Sequence, residues 1–350
     1  MTILAETPLG DAPAGRGYTH RGRWLAAAIV LLAVSFVGGL VIGSRDLPLS
    51  ALWAVALGAG DVETTAILFE QRIPRTVIAV MGGAALAVAG VLIQGHTRNP
   101  LADPGLLGVT AGSSLCVVVA IAFFGASTPA GYLWFAFAGA AIAAIVVTTV
   151  GRLAGGRRDS SPATLVLAGT AVSAILSAVS GVILLLSSST LDLFRFWTVG
   201  SLSGVRDLSV LLPAFACIVV GLVVAIGHSS TLDALSMGDD TARSLGRNLG
   251  TSRGVGLTAV TLLVGGAVAC CGSLGFVGLI APHAVRAMVG PGHRWLVPFS
   301  AVVGGILVVI ADIIGRVVLH PTELPVGVVL AMVGTPFFLF MVVRIRKARA

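Results

Sequence analysis

The chain has 350 residues, of which 56% are hydrophobic and only 11% are charged, and its formal net charge is +7. A soluble domain carries roughly 25% charged residues, so a surface this poor in charge cannot face water on all sides. The composition excludes an ordinary soluble domain and predicts a polytopic membrane protein.

Long apolar runs without alternation predict helices rather than the strands of a barrel. Residues 24–44 contain no charge, and residues 104–151 form an uncharged run of 48 that the turn-forming stretch GASTPAG divides. A helix needs about 20 apolar residues to cross a bilayer, so the longer run predicts two crossings. Ten spans are predicted in total, which places both termini on one side of the membrane. They cover residues 24–44, 76–95, 105–124, 132–151, 164–188, 208–227, 254–271, 273–289, 295–314 and 325–343.

The positive charges predict the orientation. With a cytoplasmic N-terminus, sixteen lysines and arginines lie inside and six lie outside, so both termini are expected in the cytoplasm. The predicted domains are a tail (1–23), a ten-helix membrane domain (24–344) and a second tail (345–350). Because the basic residues flank the spans, membrane lipid is their expected partner. No basic run with interleaved aromatics is present to indicate a nucleic-acid partner.

Neither a metal site nor a catalytic residue is predicted. The four cysteines fall inside apolar spans without metal-ligand spacing, and the six histidines form no HxH or HxxxH pattern. A phosphate-binding loop needs GxxxxGK[ST], yet the single lysine is Lys347 in the C-terminal tail. A process driven by ATP would therefore need a separate hydrolysing subunit. The alternative is an ion-coupled secondary transporter, which the scarcity of charge at the span centres disfavours.

A polar stretch at residues 228–253, between spans six and seven, is predicted to form two short cytoplasmic helices. Gly238 is expected to end the first, Asp239 or Asp240 to cap the second, and Gly246 to stop it. Such helices would suit the transmission of motion from a partner, whereas the alternative is an ordinary surface loop. The apolar contacts of the two helices are expected from Leu235, Ala242 and Leu245.

A second polar stretch, QGHTRNPLADPGLLG at residues 94–108, lies between spans two and three. Asp103 is predicted to cap a helix in which Pro104 takes the first position. Asn99 precedes Pro100 and is therefore pushed out of the helical region, which ends span two. A capped turn explains Asn99, Pro100, Asp103 and Pro104, but it does not explain the full sequence of residues 94–108.

The sequence around this turn closely resembles the FecCD-type permeases. Residues 72–115 contain R-x-P-R-x-x-x-A, G-x-x-L-A-x-x-G-x-x-x-Q and R-N-P-L-A-x-P-x-x-L-G in order. Residues 237–246 resemble L-G-x-x-x-A-x-x-L-G with Met237 in place of leucine, and the resemblance resumes in residues 275–305 and 311–344. In the turn, the motif residues are Gln94, Arg98, Asn99, Pro100, Asp103 and Pro104.

These permeases are the membrane subunits of type II ABC importers for ferric siderophores, haem and cobalamin. The resemblance implies the cobalamin-permease-like fold, with about ten transmembrane helices in the bacterial cytoplasmic membrane. It also implies a second permease copy or paralogue, ABC ATPase subunits that bind ATP and Mg²⁺, and a periplasmic or lipoprotein substrate-binding protein. Ferric siderophore is the expected substrate, with haem and cobalamin as alternatives.

The resemblance also assigns roles to two sets of residues. On the cytoplasmic side, the residues expected to meet a cleft of the ATPase are Leu235, Gly238, Ala242, Arg243, Leu245 and Gly246. On the outer side, Arg72, Arg75 and Arg316 match the arginines that face acidic residues of the binding protein. Arg316 has a rival partner in Asp312, which lies one helical turn earlier.

Overall fold

A computed structural model of the chain describes residues 21–43, 47–155, 162–203, 208–319 and 322–349. Within these ranges the structure is helical and contains no β-strand. The α-helices are α1 Arg21–Val41, α2 Leu49–Ala56, α3 Val62–Ala66, α4 Ile73–Thr97, α5 Val109–Phe124, α6 Pro129–Gly155, α7 Pro162–Leu186, α8 Ser188–Val199, α9 Leu212–Ser236, α10 Asp239–Ser244, α11 Leu249–Cys271, α12 Val277–Val289, α13 His293–Val318 and α14 Val326–Arg349.

The ten predicted spans each correspond to a helix of the structure. In the described part of the chain, eight helical segments are long and apolar enough to cross a membrane. Two further apolar helices, α5 and α12, are shorter, with 16 and 13 residues. The prediction of an all-helical protein with about ten transmembrane helices is confirmed.

Short helices on the outer side were not predicted. α2 and α3 lie between α1 and α4, and a π-helical segment, Ile67–Arg72, joins α3 to α4 in one continuous helical stretch. α8 follows α7 after a break at Ser187, whose hydroxyl accepts a hydrogen bond from the backbone N–H of Thr190 at 3.3 Å. These helices are too short to cross a bilayer, so a search for spans passes over them.

Two boundaries on the cytoplasmic side differ from the sequence prediction. α9 continues to Ser236, so the first of the two short helices predicted in residues 228–253 is the end of a transmembrane helix. The reason is that residues 228–236 contain neither glycine nor proline to stop a helix. α5 begins at Val109, after a 3₁₀ turn over Pro104–Leu107 that ends at Gly108 with φ +74°.

Helix α4 forms the centre of the bundle and packs against α9, α11, α12 and α13. Small residues let the backbones touch at these crossings. A Cβ atom on Gly83 would lie 2.3 Å from the carbonyl oxygen of Gly304 in α13, and one on Gly90 would lie 2.0 Å from that of Gly278 in α12. Close packing of small residues is the main way in which transmembrane helices associate.

The connection between α11 and α12 is not helical. α11 ends at Cys271 and α12 begins at Val277, after Phe276, which has a φ of +67°. At a rise of about 1.5 Å per residue, the 13 residues of α12 extend about 20 Å, less than the hydrocarbon thickness of about 30 Å. Residues 272–276 therefore leave the helix before it has crossed the membrane.

Candidate functional site

Helix α10 lies on the cytoplasmic side and is terminated as predicted. Gly246 has a φ of +76°, and its N–H donates to the carbonyl oxygen of Arg243 at 2.9 Å. The N–H of Arg247 donates to the carbonyl oxygen of Ala242 at 3.0 Å. These two bonds satisfy the last carbonyls of the helix in the manner of a Schellman motif. Gly246 is therefore the stop that the sequence predicts.

The prediction that Asp239 or Asp240 caps α10 is wrong. The N-cap is Gly238, with φ +115°, and no side chain accepts a capping bond there. Asp240 is fully exposed and pairs with Arg243 at 3.3 Å. The carboxylate of Asp239 is instead shared by the guanidinium groups of two other helices.

The pKa of Asp239 reflects those two cationic neighbours. Burial acts to raise this pKa, but the charges of Arg253 and Arg98 together outweigh burial and lower it below its ordinary value. Because the carboxyl group lies outside the membrane spans and keeps a lowered pKa, it is ionised at neutral pH. The ionised form is the one that can accept hydrogen bonds from both guanidinium groups.

The apolar contacts of α10 are only partly those predicted. Leu235 and Ala242 are buried and pack in one cluster with Ala234 and Leu249. Leu245 is 60% exposed, so its predicted packing role is wrong. In a helix of six residues the sequence offers too few turns to define which side is buried. The exposed side chains of α10 and of the residues beside it include Met237, Asp240, Arg243 and Leu245.

Gln94 links the cytoplasmic half of α4 to α12. Its side-chain amide donates from Nε2 to the carbonyl oxygen of Gly278 at 3.0 Å. Its Oε1 accepts a hydrogen bond from Nη2 of Arg286, also at 3.0 Å. Only 4% of Gln94 is exposed, so its two polar ends are satisfied inside the protein.

Two histidine contacts extend this network to α9, α11 and α13. The ring of His96 on α4 stacks on that of His228 on α9, with centroids 5.5 Å apart, and its Nε2 lies 3.4 Å from the carbonyl oxygen of Ser252 on α11. Asp233 on α9 accepts hydrogen bonds from the backbone N–H of His293 at 2.9 Å and from its Nδ1 at 2.7 Å. Asp233 thus caps the start of α13.

Arg98 ends α4 in a left-handed conformation, with φ +50°. Its Nε donates to the carbonyl oxygen of Leu235 at 2.8 Å, and its Nη2 donates to Asp239. Arg253, which is only 10% exposed, donates from the other side to Asp239 at 2.8 Å. From the sequence alone, Arg98 belongs to the motif of the turn, and Arg253 is one of the arginines that predict the orientation.

The remaining residues of the turn stabilise its local shape. The N–H of Leu101 donates to the side chain of Asn99 at 3.0 Å, and that of Gly105 donates to Asp103 at 2.8 Å. Asp103 is thus the predicted N-cap, although the element that it begins at Pro104 is a 3₁₀ turn rather than span three. Burial raises the pKa of the Asp103 carboxyl group above its ordinary value, an effect that the bond from Gly105 opposes. The string therefore builds a turn and also ties α4 to its neighbours.

The three outer arginines bond within the chain. Arg72 is 6% exposed and donates to the carbonyl oxygen of Val41 at 2.6 Å. Arg316 is 3% exposed and donates to the carbonyl oxygen of Gly39 at 2.8 Å. It also pairs with Asp312, the alternative partner that the sequence suggests. Their predicted contact with a binding protein stays a prediction.

Arg75 lies at the edge of this cluster and reaches the outer surface. It donates to Asp312 from Nε and Nη2, at 2.9 and 2.8 Å, and to Glu323 at 2.6 Å. Both Arg75 and Glu323 also line a cavity of about 380 Å³ at the outer end of the bundle. The wall of this cavity includes Tyr132, Phe196, Trp197, Ser201, Cys270 and Gly272.

The sequence profile of the FecCD transport family matches residues 31–344. The chain belongs to this family. It is 40% identical over 316 residues to the ferric enterobactin permease FepD of Escherichia coli K12, covering 90% of this chain and 93% of FepD. It is 35% identical over 327 residues to the hemin permease HmuU of Yersinia pestis, covering 93% of this chain and 97% of HmuU.

A solved structure of a metal-chelate type ABC transporter in an inward-facing conformation has the same fold. The two chains superpose with a TM-score of 0.79 at 29% identity, over 92% of this chain and 99% of the other. As a FecCD family member, the chain is a multi-pass permease of an ABC importer rather than an ion-coupled secondary transporter. Among the residues that the structure describes, no group of three or more His, Cys, Asp or Glu side chains is placed to hold a metal ion.

Proposed function

We propose that the chain is the permease subunit of an ATP-driven importer that carries a ferric siderophore across the bacterial cytoplasmic membrane. The observation that carries the proposal is the short helix α10, which presents an exposed side to the cytoplasm while Asp239 and Arg98 connect it to the membrane helices. A permease without a phosphate-binding loop needs such a surface, because ATP and Mg²⁺ are bound by a separate ATPase subunit.

The proposed mechanism is alternating access. Closure of the ATPase subunits on ATP moves α10, and its connections pass the movement to the transmembrane helices. Two permease chains, either copies or paralogues, enclose the pathway, and a periplasmic or lipoprotein-anchored binding protein delivers the substrate from outside. The aromatic and hydroxyl side chains of the outer cavity, such as Tyr132, Trp197 and Ser201, provide the surface that the arriving substrate meets first.

Ferric siderophore is the proposed substrate because relatives with that role are among the most similar. Besides FepD, the iron(3+)-hydroxamate permease FhuB of Bacillus subtilis is 38% identical over 326 residues, which is 92% of this chain and 83% of FhuB. HmuU supports the second candidate, haem. Cobalamin is the third, since a cobalamin permease of Halobacterium salinarum is 37% identical over 313 residues.

Uptake by a strain that lacks this chain tests the proposal directly. Radio-iron-labelled ferric enterobactin and ferric hydroxamate, labelled haem and labelled cobalamin are supplied separately, with and without the wild-type gene restored. We expect uptake of a ferric siderophore to be lost and then recovered. Unchanged uptake of every iron compound with loss of cobalamin uptake would retain the importer and reject the substrate. Unchanged uptake of all four compounds would reject the proposal.

The docking role of the outer arginines is testable at Arg75. Arg75→Gln leaves Asp312 paired with Arg316, so the fold should persist while the outer surface loses a positive charge. We expect about tenfold slower association of the substrate-binding protein, because charges at an interface rim act mainly on the association rate. Arg195→Gln on α8, where the side chain is 65% exposed, is the control for a general loss of outer charge. Equal association rates in the two variants would remove Arg75 from the docking surface.

A further inference from the structure

The carboxylate of Asp239 connects α10 to two transmembrane helices at once. Oδ1 accepts a hydrogen bond from Nη2 of Arg98 at the end of α4, and Oδ2 accepts one at 2.8 Å from Nη2 of Arg253 in the second turn of α11. Arg98 also donates from Nε to the carbonyl oxygen of Leu235 at the end of α9. We call Arg98, Asp239 and Arg253 the coupling triad.

The triad holds α10 by one exposed ion pair and one more buried ion pair, since only 10% of the Arg253 side chain is exposed. The side chains of Arg98 and Asp239 are 39% and 32% exposed, and ion pairs with that much access to solvent are worth little. Within its six residues, α10 buries Ala242. A single buried methyl group resists rotation weakly, whereas a carboxylate held by two guanidinium groups from different directions resists it strongly.

The triad connects α10 to two tightly packed helices, α4 and α11, which are expected to move as rigid elements. α4 is buried from Gly82 to Gly95 and packs against α9, α11, α12 and α13. α11 is itself buried along most of its length beyond Arg253. A displacement of α10 that pulled on Arg98 and Arg253 would therefore move tightly packed helices, because such interiors shift as rigid elements rather than deforming locally.

We propose that Asp239 is a positioning residue that transmits the movement of α10 to α4 and α11. The inference rests on the proposed function, in which an ATPase subunit moves α10. Without the carboxylate, α10 keeps its exposed face, its contact with the ATPase and its packing on Leu235 and Leu249, but it loses the ion pairs with Arg98 and Arg253. ATP is then hydrolysed without a matching movement of the transport pathway.

The test compares Asp239→Ala with Asp240→Ala in the transporter assembled with its ATPase and binding protein in proteoliposomes. Asp240 is the matched control, because it is the next residue of the same helix and is fully exposed. With radio-iron-labelled ferric enterobactin, we expect D239A to keep ATP hydrolysis within about twofold of wild type while chelate imported per ATP falls about tenfold, as for a typical allosteric coupling energy. Because Asp240 lies on the exposed side of α10, ATPase content is measured for D240A as well, and its chelate imported per ATP should match wild type.

A second variant, Arg253→Gln, removes the ion pair with α11, keeps the one with Arg98 and should lower import per ATP by a smaller factor. If the D239A protein does not accumulate in the membrane, import per ATP of R253Q is compared with that of wild type instead. Unchanged import per ATP in D239A, or in R253Q where it is the variant measured, would reject the proposal. So would loss of the ATPase subunit from D239A, because Asp239 would then act in assembly.

The wild-type transporter separates this inference from the proposed function. If wild type imports haem but not ferric enterobactin, the substrate assignment fails, and the same ratio is measured with haem. If wild type hydrolyses no ATP and imports none of the compounds, the proposed function fails before any variant is compared. A wild type that imports normally beside a D239A variant that also imports normally rejects the coupling triad alone.

Discussion

Replacing Asp312 with alanine is expected to destabilise the folded protein by about 3–5 kcal/mol, as is usual when one partner of a buried ion pair is removed. Asp312 is 2% exposed and accepts hydrogen bonds from Arg75 and Arg316. Without it, Arg316 would remain 3% exposed with no carboxylate beside it on α13. Thermal unfolding of the detergent-solubilised protein measures the loss.

Two further variants make this expectation specific. Glu323→Gln removes the other acidic partner of Arg75, but Glu323 is 31% exposed, so the loss should stay below about 1 kcal/mol. Adding Arg316→Met to Asp312→Ala should recover part of the stability, because an unpaired buried cation is replaced by an apolar side chain of similar length. Equal unfolding midpoints for D312A and E323Q would show that the buried pairing contributes little.

Replacing Gly90 with valine is expected to prevent α12 from packing on α4. A Cβ atom at this position would lie 2.0 Å from the carbonyl oxygen of Gly278 and 2.6 Å from its Cα, and backbone cannot give way as a flexible side chain does. The cost should reach or exceed the upper end of the about 1–3 kcal/mol typical of overpacking. The measurement is the amount of monodisperse protein recovered from the membrane.

Gly227→Val provides the matched control on α9. No heavy atom lies within 4 Å of a Cβ built on Gly227, so the same side chain enters open space there. Recovery of this variant should equal that of wild type, because surface substitutions usually change stability by less than about 0.5 kcal/mol. If G90V were recovered as well as G227V, the close approach of α4 and α12 would not be required for folding.

The membrane-spanning architecture was predictable because its determinants are local in sequence. The thickness of the hydrocarbon core sets the minimum length of a transmembrane helix, and the charge-free stretches of this chain reach that length. The same holds for Asp103, which caps a turn two residues away, and for Gly246, whose backbone conformation ends α10. In each case the partner is a neighbour in the chain.

The contacts of α10 were only partly predictable because the residues that bond to it are distant in sequence. Asp239 has the residue type and position of a helix cap, yet Arg98 and Arg253 reach it from 141 and 14 residues away and replace the local bond. Arg98 likewise looks like part of a turn until α9 is placed beside it. At a packed helix end, a charged side chain bonds to the partner that the tertiary fold places beside it, and that partner cannot be identified from a single sequence.

The early end of α12 affects how the membrane is sealed. Non-helical backbone at membrane depth is tolerated only where protein buries it or water reaches it. Gly275 is exposed and Gly272 lines the outer cavity, so that cavity reaches the non-helical segment. With water in that cavity, the layer that insulates it from the cytoplasm would be about 20 Å thick, the length of α12, rather than the full hydrocarbon thickness. The dielectric barrier at this point would then be concentrated in the cytoplasmic two thirds of the permease.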